Sequence, residues 1–455
     1  MEAPVRFFTD RTPEKKELCK FLQGKIYTKN MMDINGMFGI GKTQLLYLAY
    51  AKAKETHKTV AYYDFSREVD IQYVDVLKSI IEQSNKDSIV LNIANSFTDC
   101  NHNIDDLCNA FNKELAEEIR SNRVLFFFDS TEKATPKTLE LLETKIFTKH
   151  INHGNLLITC SGEKPIHWKT ADIRKRRTSL TLHSFTPEEI NKMITSLANV
   201  YSINEIDDDS IELIQYLSDG NPGIIYDSLY FLSDEFSQKE IHAEPKKCND
   251  LVAYLHQKIV HEKILQQIEN VQIERVDNIK LISNIAMLRK VDLQSFRKLV
   301  AINFPESFAK QNAFYYDSLL KKIYKQSSLF QPDYSSGYAL NTCVRRISKL
   351  SKWLAQPKKF EWLQNEISNY YKFMISKTAG IDQKSAIIEY LFTKYSTFPA
   401  CIGLPERTCT LSANEITELI DSNNVIQEDS YVRDAHLIDI QNAIEADEEL
   451  KDLLT

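Results

Sequence analysis

Residues 36 to 43 read Gly-Met-Phe-Gly-Ile-Gly-Lys-Thr and satisfy the pattern G-x-x-x-x-G-K-T/S in full. No other feature of the chain restricts its fold as much, because the pattern demands a tight turn between a strand and a helix. Gly36, Gly39 and Gly41 let the backbone aim successive N–H groups inward as an anion nest. The helix that starts at the loop adds its positive end. Lys42 supplies a point charge for β- and γ-phosphates, and the Thr43 hydroxyl a ligand for magnesium. Ile40 and Gln44 flank these groups within the same phosphate-binding stretch. The whole chain has 11 glycines, and three fall within six residues here. ATP or ADP with Mg2+ are the cofactors this arrangement implies.

A phosphate loop needs a second acid at the end of a buried strand. Val124-Leu125-Phe126-Phe127-Phe128-Asp129 meets that need: the apolar run fixes the strand, and Asp129 reaches magnesium through a water. Glu132, three residues on, is a candidate to orient or activate the attacking water. A solvated loop acid is the other reading of Glu132.

Around these motifs, strand-like and helix-like stretches alternate from residue 31 to 185. Met31 to Ile34, Val60 to Phe65, Val124 to Phe128, Leu156 to Thr159 and Leu180 to Leu182 read as strands. Ile104, Leu107, Phe111, Leu115 and Ile119 form the stripe of an amphipathic helix. Alternation of this kind predicts a parallel sheet with helices on both faces. Thr186-Pro187-Glu188-Glu189 is then a helix start, and helical periodicity runs to about Phe236, broken at Asp219-Gly220-Asn221-Pro222-Gly223. Three short helices around 278–288, 292–301 and 313–325, followed by Ser328 to Gln331, a turn and Tyr338 to Leu340, outline a winged helix.

The fold class expected is therefore α/β: a P-loop parallel sheet (1–185) with a helical lid (186–245), then a connector and winged helix (246–350), then an α-helical C-terminal region with an acidic tail (351–455). The chain has 455 residues and a formal net charge of -7, which argues against a globally basic nucleic-acid coat and leaves room for a local basic patch. Residues 246–380 hold 22 Lys/Arg against 11 Asp/Glu, and residues 381–455 hold 5 against 15. No apolar run approaches a membrane span. Eight scattered cysteines without a C-x-x-C pair predict free thiols and a cytoplasmic location.

Four segments together resemble the STAND class of signalling ATPases, relatives of AAA+ proteins that include NB-ARC and NACHT members. They are Phe8-Thr9-Asp10-Arg11, the loop from Asn35 to Thr43, Phe128-Asp129-Ser130-Thr131-Glu132, and Ser218-Asp219-Gly220-Asn221-Pro222-Gly223. The resemblance implies that the lead-in motif ending at Arg11 helps seat the adenine and that Pro222 packs near the base. It implies a slow ATPase that is closed with ADP, opens and forms homo-oligomers with ATP, and works with a separate effector or sensor protein. The sequence departs from the class where a γ-phosphate-sensing arginine is common: Cys160-Ser161-Gly162-Glu163-Lys164 stands there, and Lys164 is the available substitute. No histidine lies between His261 and His436, so the ADP contact made by a winged-helix histidine in NB-ARC proteins is absent or made differently. Few residues precede the first strand, as expected of a minimal member or one part of a multi-protein system.

Arg174-Lys175-Arg176-Arg177 is a basic cluster that could reach a neighbouring subunit's phosphates or be a solvated turn. Trp168 could anchor that loop or fill core. Lys321, Lys322 and Lys325 on the third helix of the winged helix could meet DNA, or the acidic tail around Glu445, Asp447, Glu448 and Glu449 could cover them. Two rival functions stay open: a DNA-binding initiator-type AAA+ ATPase, and a scaffold that binds nucleotide without hydrolysis.

Overall fold

The strand that feeds the phosphate loop, β1 (Met31–Asn35), is buried along its whole length. In the computed structural model it lies inside a five-stranded sheet with β2 (Thr59–Asp64), β3 (Val124–Asp129), β4 (Leu156–Gly162) and β5 (Arg177–Thr181), in the order β2-β3-β4-β1-β5. Every pairing is parallel, with Met31 opposite Ile158 and Arg177, and Val124 opposite Thr59 and Leu156. The structure describes residues 11–24, 28–57, 59–66, 73–83, 104–233, 240–242, 244–264, 275–303, 312–326, 330–333, 337–378, 380–395, 398, 402, 440 and 442–444.

The uninterrupted apolar run of β3 follows from its position. Alternate residues of a strand face opposite sides. Phe126 and Phe128 join Met31 and Ile158 in one layer of the core, under α3 (Tyr73–Gln83) and α4 (Ile104–Ser121). Leu125 and Phe127 join Met32, Ile34 and Leu157 in the other, with α1 (Thr12–Leu22) and α2 (Lys42–Thr56). With both faces covered there is no polar side to the strand. After β3 come α5 (Pro136–Leu141), whose last turn widens into a π-helical segment over Leu142–Phe147, and a short α6 (Ala171–Arg176) before β5. Trp168 is core, packed edge-on against Phe147.

Helix α7 (Pro187–Tyr201) opens with a reciprocal cap, in which Thr186 N donates to Glu189 Oε2 at 2.8 Å and Glu189 N to Thr186 Oγ1 at 3.3 Å. Helix α8 (Asp208–Ser218) ends at Asp219 in the left-handed conformation, and α9 (Pro222–Leu232) starts after the turn. Two-residue strands β6 (Glu205–Ile206) and β7 (Glu240–Ile241) pair in parallel, so the stretch from 186 to about 236 is not helical throughout. Helix α10 (Pro245–Leu255) runs on as a π-helix over His256–Ile264.

Helices α11 (Arg275–Ile285), α12 (Leu293–Asn303) and α13 (Ala313–Gln326) precede an antiparallel hairpin of β8 (Phe330–Asp333) and β9 (Gly337–Leu340). Val291 forms an antiparallel bridge to Tyr338 on the hairpin's outer side. Helices α14 (Thr342–Ala355), α15 (Pro357–Lys377) and α16 (Gly380–Tyr395) follow. Phe8 to Asp10 of the lead-in segment, the side chain of Lys325 and the acidic residues from Glu445 to Glu449 lie outside the described residues.

The chain divides into two compact units: Met1–Leu197 with Gly220–Gly223, and Ala198–Asp219 with Ile224–Thr455. The first contains the whole five-stranded sheet and the Gly220–Gly223 turn. In the second, α14 is surrounded by α8, α10, α11, α15 and the π-helical segment. It buries Arg345 and Lys349 as well as Val344, Ile347 and Leu350. Phe392 receives both cations on its ring, at 4.8 Å from Arg345 Cζ and 4.9 Å from Lys349 Nζ. Arg289 and the buried Glu389 form a two-pronged pair, 3.0 Å from both Nε and Nη2.

One charged pair lies inside the sheet. Asp33, at 1% exposure the only acid in β1, meets Arg177 Nε at 2.6 Å. The contact is close but misaligned for a hydrogen bond. Burial raises the Asp33 pKa from 3.8 to about 6, opposed by the Arg177 charge and by Trp168. That rise corresponds to about 3 kcal/mol. The sign follows from linkage: between the unfolded and folded pKa values the folded chain binds the extra proton, so this contribution is full below about pH 4 and lost as pH rises through about 6. The expected result is that Asp33→Asn loses less stability than wild type between pH 4 and 6.5, measured as the shift in urea midpoint.

Candidate functional site: a phosphate loop braced from outside

The carboxyl ends of β1, β3 and β4 emerge on one edge of the sheet, where ligands of open parallel sheets bind. Asn35 leads into the loop, and its amide donates to Ser179 Oγ at 2.8 Å. Gly39 (φ 71°) and Gly41 (φ 97°) adopt left-handed backbone that a side chain would strain. Gly41 is the N-cap of α2, so the positive N-terminal end of that helix begins at the loop.

The orientation of the loop is set by what holds its carbonyls. Lys42 Nζ donates to Gly36 O at 2.7 Å and Met37 O at 2.8 Å. Asn221 Nδ2 donates to Phe38 O at 2.8 Å, and Gly223 N to Gly39 O at 2.9 Å. Arg11 Nη2 donates to Ile40 O at 3.1 Å. Five consecutive carbonyls, from residue 36 to residue 40, thus have donors. An anion offers only acceptors, so a loop whose carbonyls are engaged elsewhere can present N–H groups to it.

Arg11 is itself locked. It is 4% exposed, pairs with Glu14 at 3.2 Å, and lies 4.6 Å above the Phe185 ring. Its guanidinium therefore braces the loop backbone. Thr43 is exposed on the first turn of α2, with Gln44 beside it half-buried and Ile40 buried in the core under the loop. Pro222 is the first residue of α9, and the bonds to the loop come from its neighbours on either side.

Asp129 ends β3 at 1% exposure. Tyr62 OH donates to its Oδ2 at 2.8 Å and Ser130 N to its Oδ1 at 2.9 Å. Ser130 takes a left-handed φ of 55°, a strain of order 1–3 kcal/mol that tends to persist where function needs it. Beyond it, Thr131 Oγ1 donates to Ser161 O at 3.1 Å, and Glu163 N to Glu132 Oε2 at 3.2 Å. Gly162 permits this approach, because a Cβ there would run into Thr131 Oγ1. Although solvent reaches Glu132, crowding by protein atoms pushes its pKa up, Glu163 pushes it further, and Lys42 pulls it down. Glu132 therefore lies within electrostatic reach of the loop lysine. Lys164, exposed two residues past the end of β4, has its pKa lowered mainly by desolvation from surrounding protein atoms.

Tyr62, Gly162, Phe185 and the backbone N–H of Glu163 escaped sequence reasoning. Each acts through a non-local contact that no motif signals. Asn221 and Gly223 stand in a motif read from the sequence, where only Pro222 drew a role. Of the basic cluster, Arg174 and Lys175 are exposed, while Arg177 is taken by Asp33.

Residues 8–227 match the family model described as an ATPase domain predominantly from Archaea. The match takes in the complete sheet, the loop and the turn at Asp219–Gly223. No curated protein matches the chain. Similar solved structures include the Thermotoga maritima RuvB Holliday junction branch migration motor, with a TM-score of 0.37 and 16% identity over 73% of this chain and 92% of that one. A threonine-to-valine variant of the same protein gives 0.38 and 17% over the same shares. A proline-to-glycine variant gives 0.38 and 15% over 74% and 94%. With its loop and sheet, the matched region is a P-loop ATPase domain.

Lys42→Ala removes a charged donor worth about 1.5–3 kcal/mol. The expected result is a loss of about ten- to a hundredfold in affinity for Mg-ATP by calorimetry, and an equal affinity in the two proteins would show that the loop is not the phosphate site.

Proposed function

We propose that this chain is an ATP-binding, slowly hydrolysing molecular switch of the STAND type within the AAA+ relatives, closed with ADP and assembling with ATP. The observation that carries the reading is the loop with its carbonyls tied from outside, set beside Asp129 and Glu132 on one sheet edge. Loop N–H groups and Lys42 bind and orient the phosphates. Thr43 and Asp129 would hold magnesium, which when bound would neutralise phosphate charge. Tyr62 and Ser130 N keep the Asp129 carboxylate aimed. Glu132, fixed by Glu163 N, orients the attacking water and accepts its proton. The location proposed is cytoplasmic, and no helix among the described residues is long and apolar enough to cross a membrane. A switch needs different nucleotide affinities in its two states, because equal affinity shifts nothing.

A second reading, nucleic-acid contact through residues 246–380, is favoured by exposed aromatic and basic residues on two helices of the second unit. On α13, Phe314 is 80% exposed, and Tyr315 and Lys321 are exposed as well. On α12, Arg297 and Lys298 are exposed. Lys321 is paired with Asp317 at 2.7 Å, which weakens the field. Binding of duplex DNA that falls steeply with salt in fluorescence anisotropy supports this reading, and no binding at low salt ends it.

For the ATPase, a general base must be ionised to act. With the Glu132 pKa displaced upward, phosphate release is expected to rise with pH through a limb above the ordinary carboxylate range. Glu132→Gln should bind Mg-ATP normally, turn over more slowly and lack that limb. No turnover in wild type at any pH would favour the non-hydrolysing scaffold. For assembly, light scattering should show a higher mass with a non-hydrolysable ATP analogue than with ADP. Charge reversal belongs at Arg174 and Lys175, since reversal at Arg177 would disrupt the core pair. A monomer under every nucleotide condition would sink the switch by assembly.

A further inference from the structure

The turn between α8 and α9 does more than join two helices. Asn221 is 1% exposed, and its carboxamide is used at both ends. Nδ2 donates to Phe38 O of the loop at 2.8 Å, and Oδ1 accepts from Gly223 N at 3.0 Å. Gly223 N is shared with Gly39 O at 2.9 Å. The fit is steric as well as polar. A Cβ on Gly39 would meet Asn221 Oδ1 at 2.7 Å, and a Cβ on Gly223 would meet Gly39 Cα at 2.9 Å. Gly220, just before, donates no space either, because a Cβ there would strike the Phe185 backbone, which bonds to it through Phe185 N and Gly220 O at 2.8 Å. Phe185 is the ring under Arg11, the residue that holds Ile40 O.

We infer that Asn221 is a positioning residue of the nucleotide site: its carboxamide forms the outer wall of the phosphate loop and sets nucleotide affinity without touching nucleotide. The inference rests on the nucleotide reading of the loop. With Phe38 O and Gly39 O both held by this turn, neither carbonyl is turned toward a bound anion. Release of the turn leaves two carbonyls able to rotate toward the phosphates, where they repel them.

The ordinary role for an asparagine here is to cap α9, and the two roles part at one substitution. Aspartate caps a helix as well as asparagine does. It keeps the oxygen that accepts from Gly223 N, lacks the donor for Phe38 O, and brings a negative charge toward the phosphates. Asn221→Asp, Asn221→Ala and Lys42→Ala are compared with wild type in the full chain, by calorimetry with Mg-ATP and by hydrogen exchange of the amides at 38–42 without nucleotide. The expected result is a loss of affinity of about tenfold in Asn221→Ala, at least as great in Asn221→Asp, with faster loop exchange in both. Wild-type affinity and exchange in Asn221→Asp would overturn the inference and leave the residue a cap. The exchange measurement needs no nucleotide, so it decides between wall and cap even in a variant that binds none. Equal affinity in Lys42→Ala and wild type would overturn the nucleotide reading itself, and the inference with it.

Discussion

A phosphate loop has to turn its N–H groups toward an anion, and a short glycine segment has no internal reason to keep them there. Here the reason is external. Five carbonyls in a row are held by Lys42, Asn221, Gly223 N and Arg11. The donors come from three places: the helix after the loop, the turn into α9, and the residue before α1. A buried carbonyl left without a partner costs about 1–3 kcal/mol, so these donors fix the loop's shape as firmly as its glycines permit it. The acidic half of the site is built the same way. Asp129 is aimed by Tyr62 from β2, and Glu132 by a backbone N–H past β4, so the reacting edge is assembled from strands that the sequence separates by about a hundred residues.

Beneath the loop, β1 carries Asp33 where an apolar residue would pack more cheaply. Its ion pair with Arg177 joins the strand of the loop to the edge strand β5. Buried pairs of this kind add little net stability, and their loss leaves a bare charge. The basic cluster is likewise not one feature: Arg177, half-buried, is paired with Asp33, while Arg174 and Lys175 face solvent.

The sheet was legible because its signals are local. The apolar run from Val124 to Phe128 states that both faces are covered, and the 36–43 motif states where strand becomes helix. The capped start at Thr186 was legible for the same reason. What the sequence could not convey are contacts set by three-dimensional closure. Nothing in Tyr62 marks it as a partner of Asp129, and it becomes one only through the register that sets Asp64 opposite Asp129. Arg11 drew a role toward adenine by resemblance, and the structure gives its guanidinium to Ile40 O and the Phe185 ring. Asn221 stood beside the proline that drew attention, and its carboxamide reaches back 183 positions to Phe38.

Helix α14 has a consequence for how the chain is made. It is buried on nearly all sides, and α8 is one of its neighbours. Leu213, Ile214 and Leu217 of α8 are fully covered in the finished unit. On the ribosome, α8 emerges long before α14: at about 5–20 residues per second, the stretch between them takes on the order of ten seconds to synthesise. During that interval an apolar helix face waits without its partner. The second unit therefore closes only after most of the chain has been made.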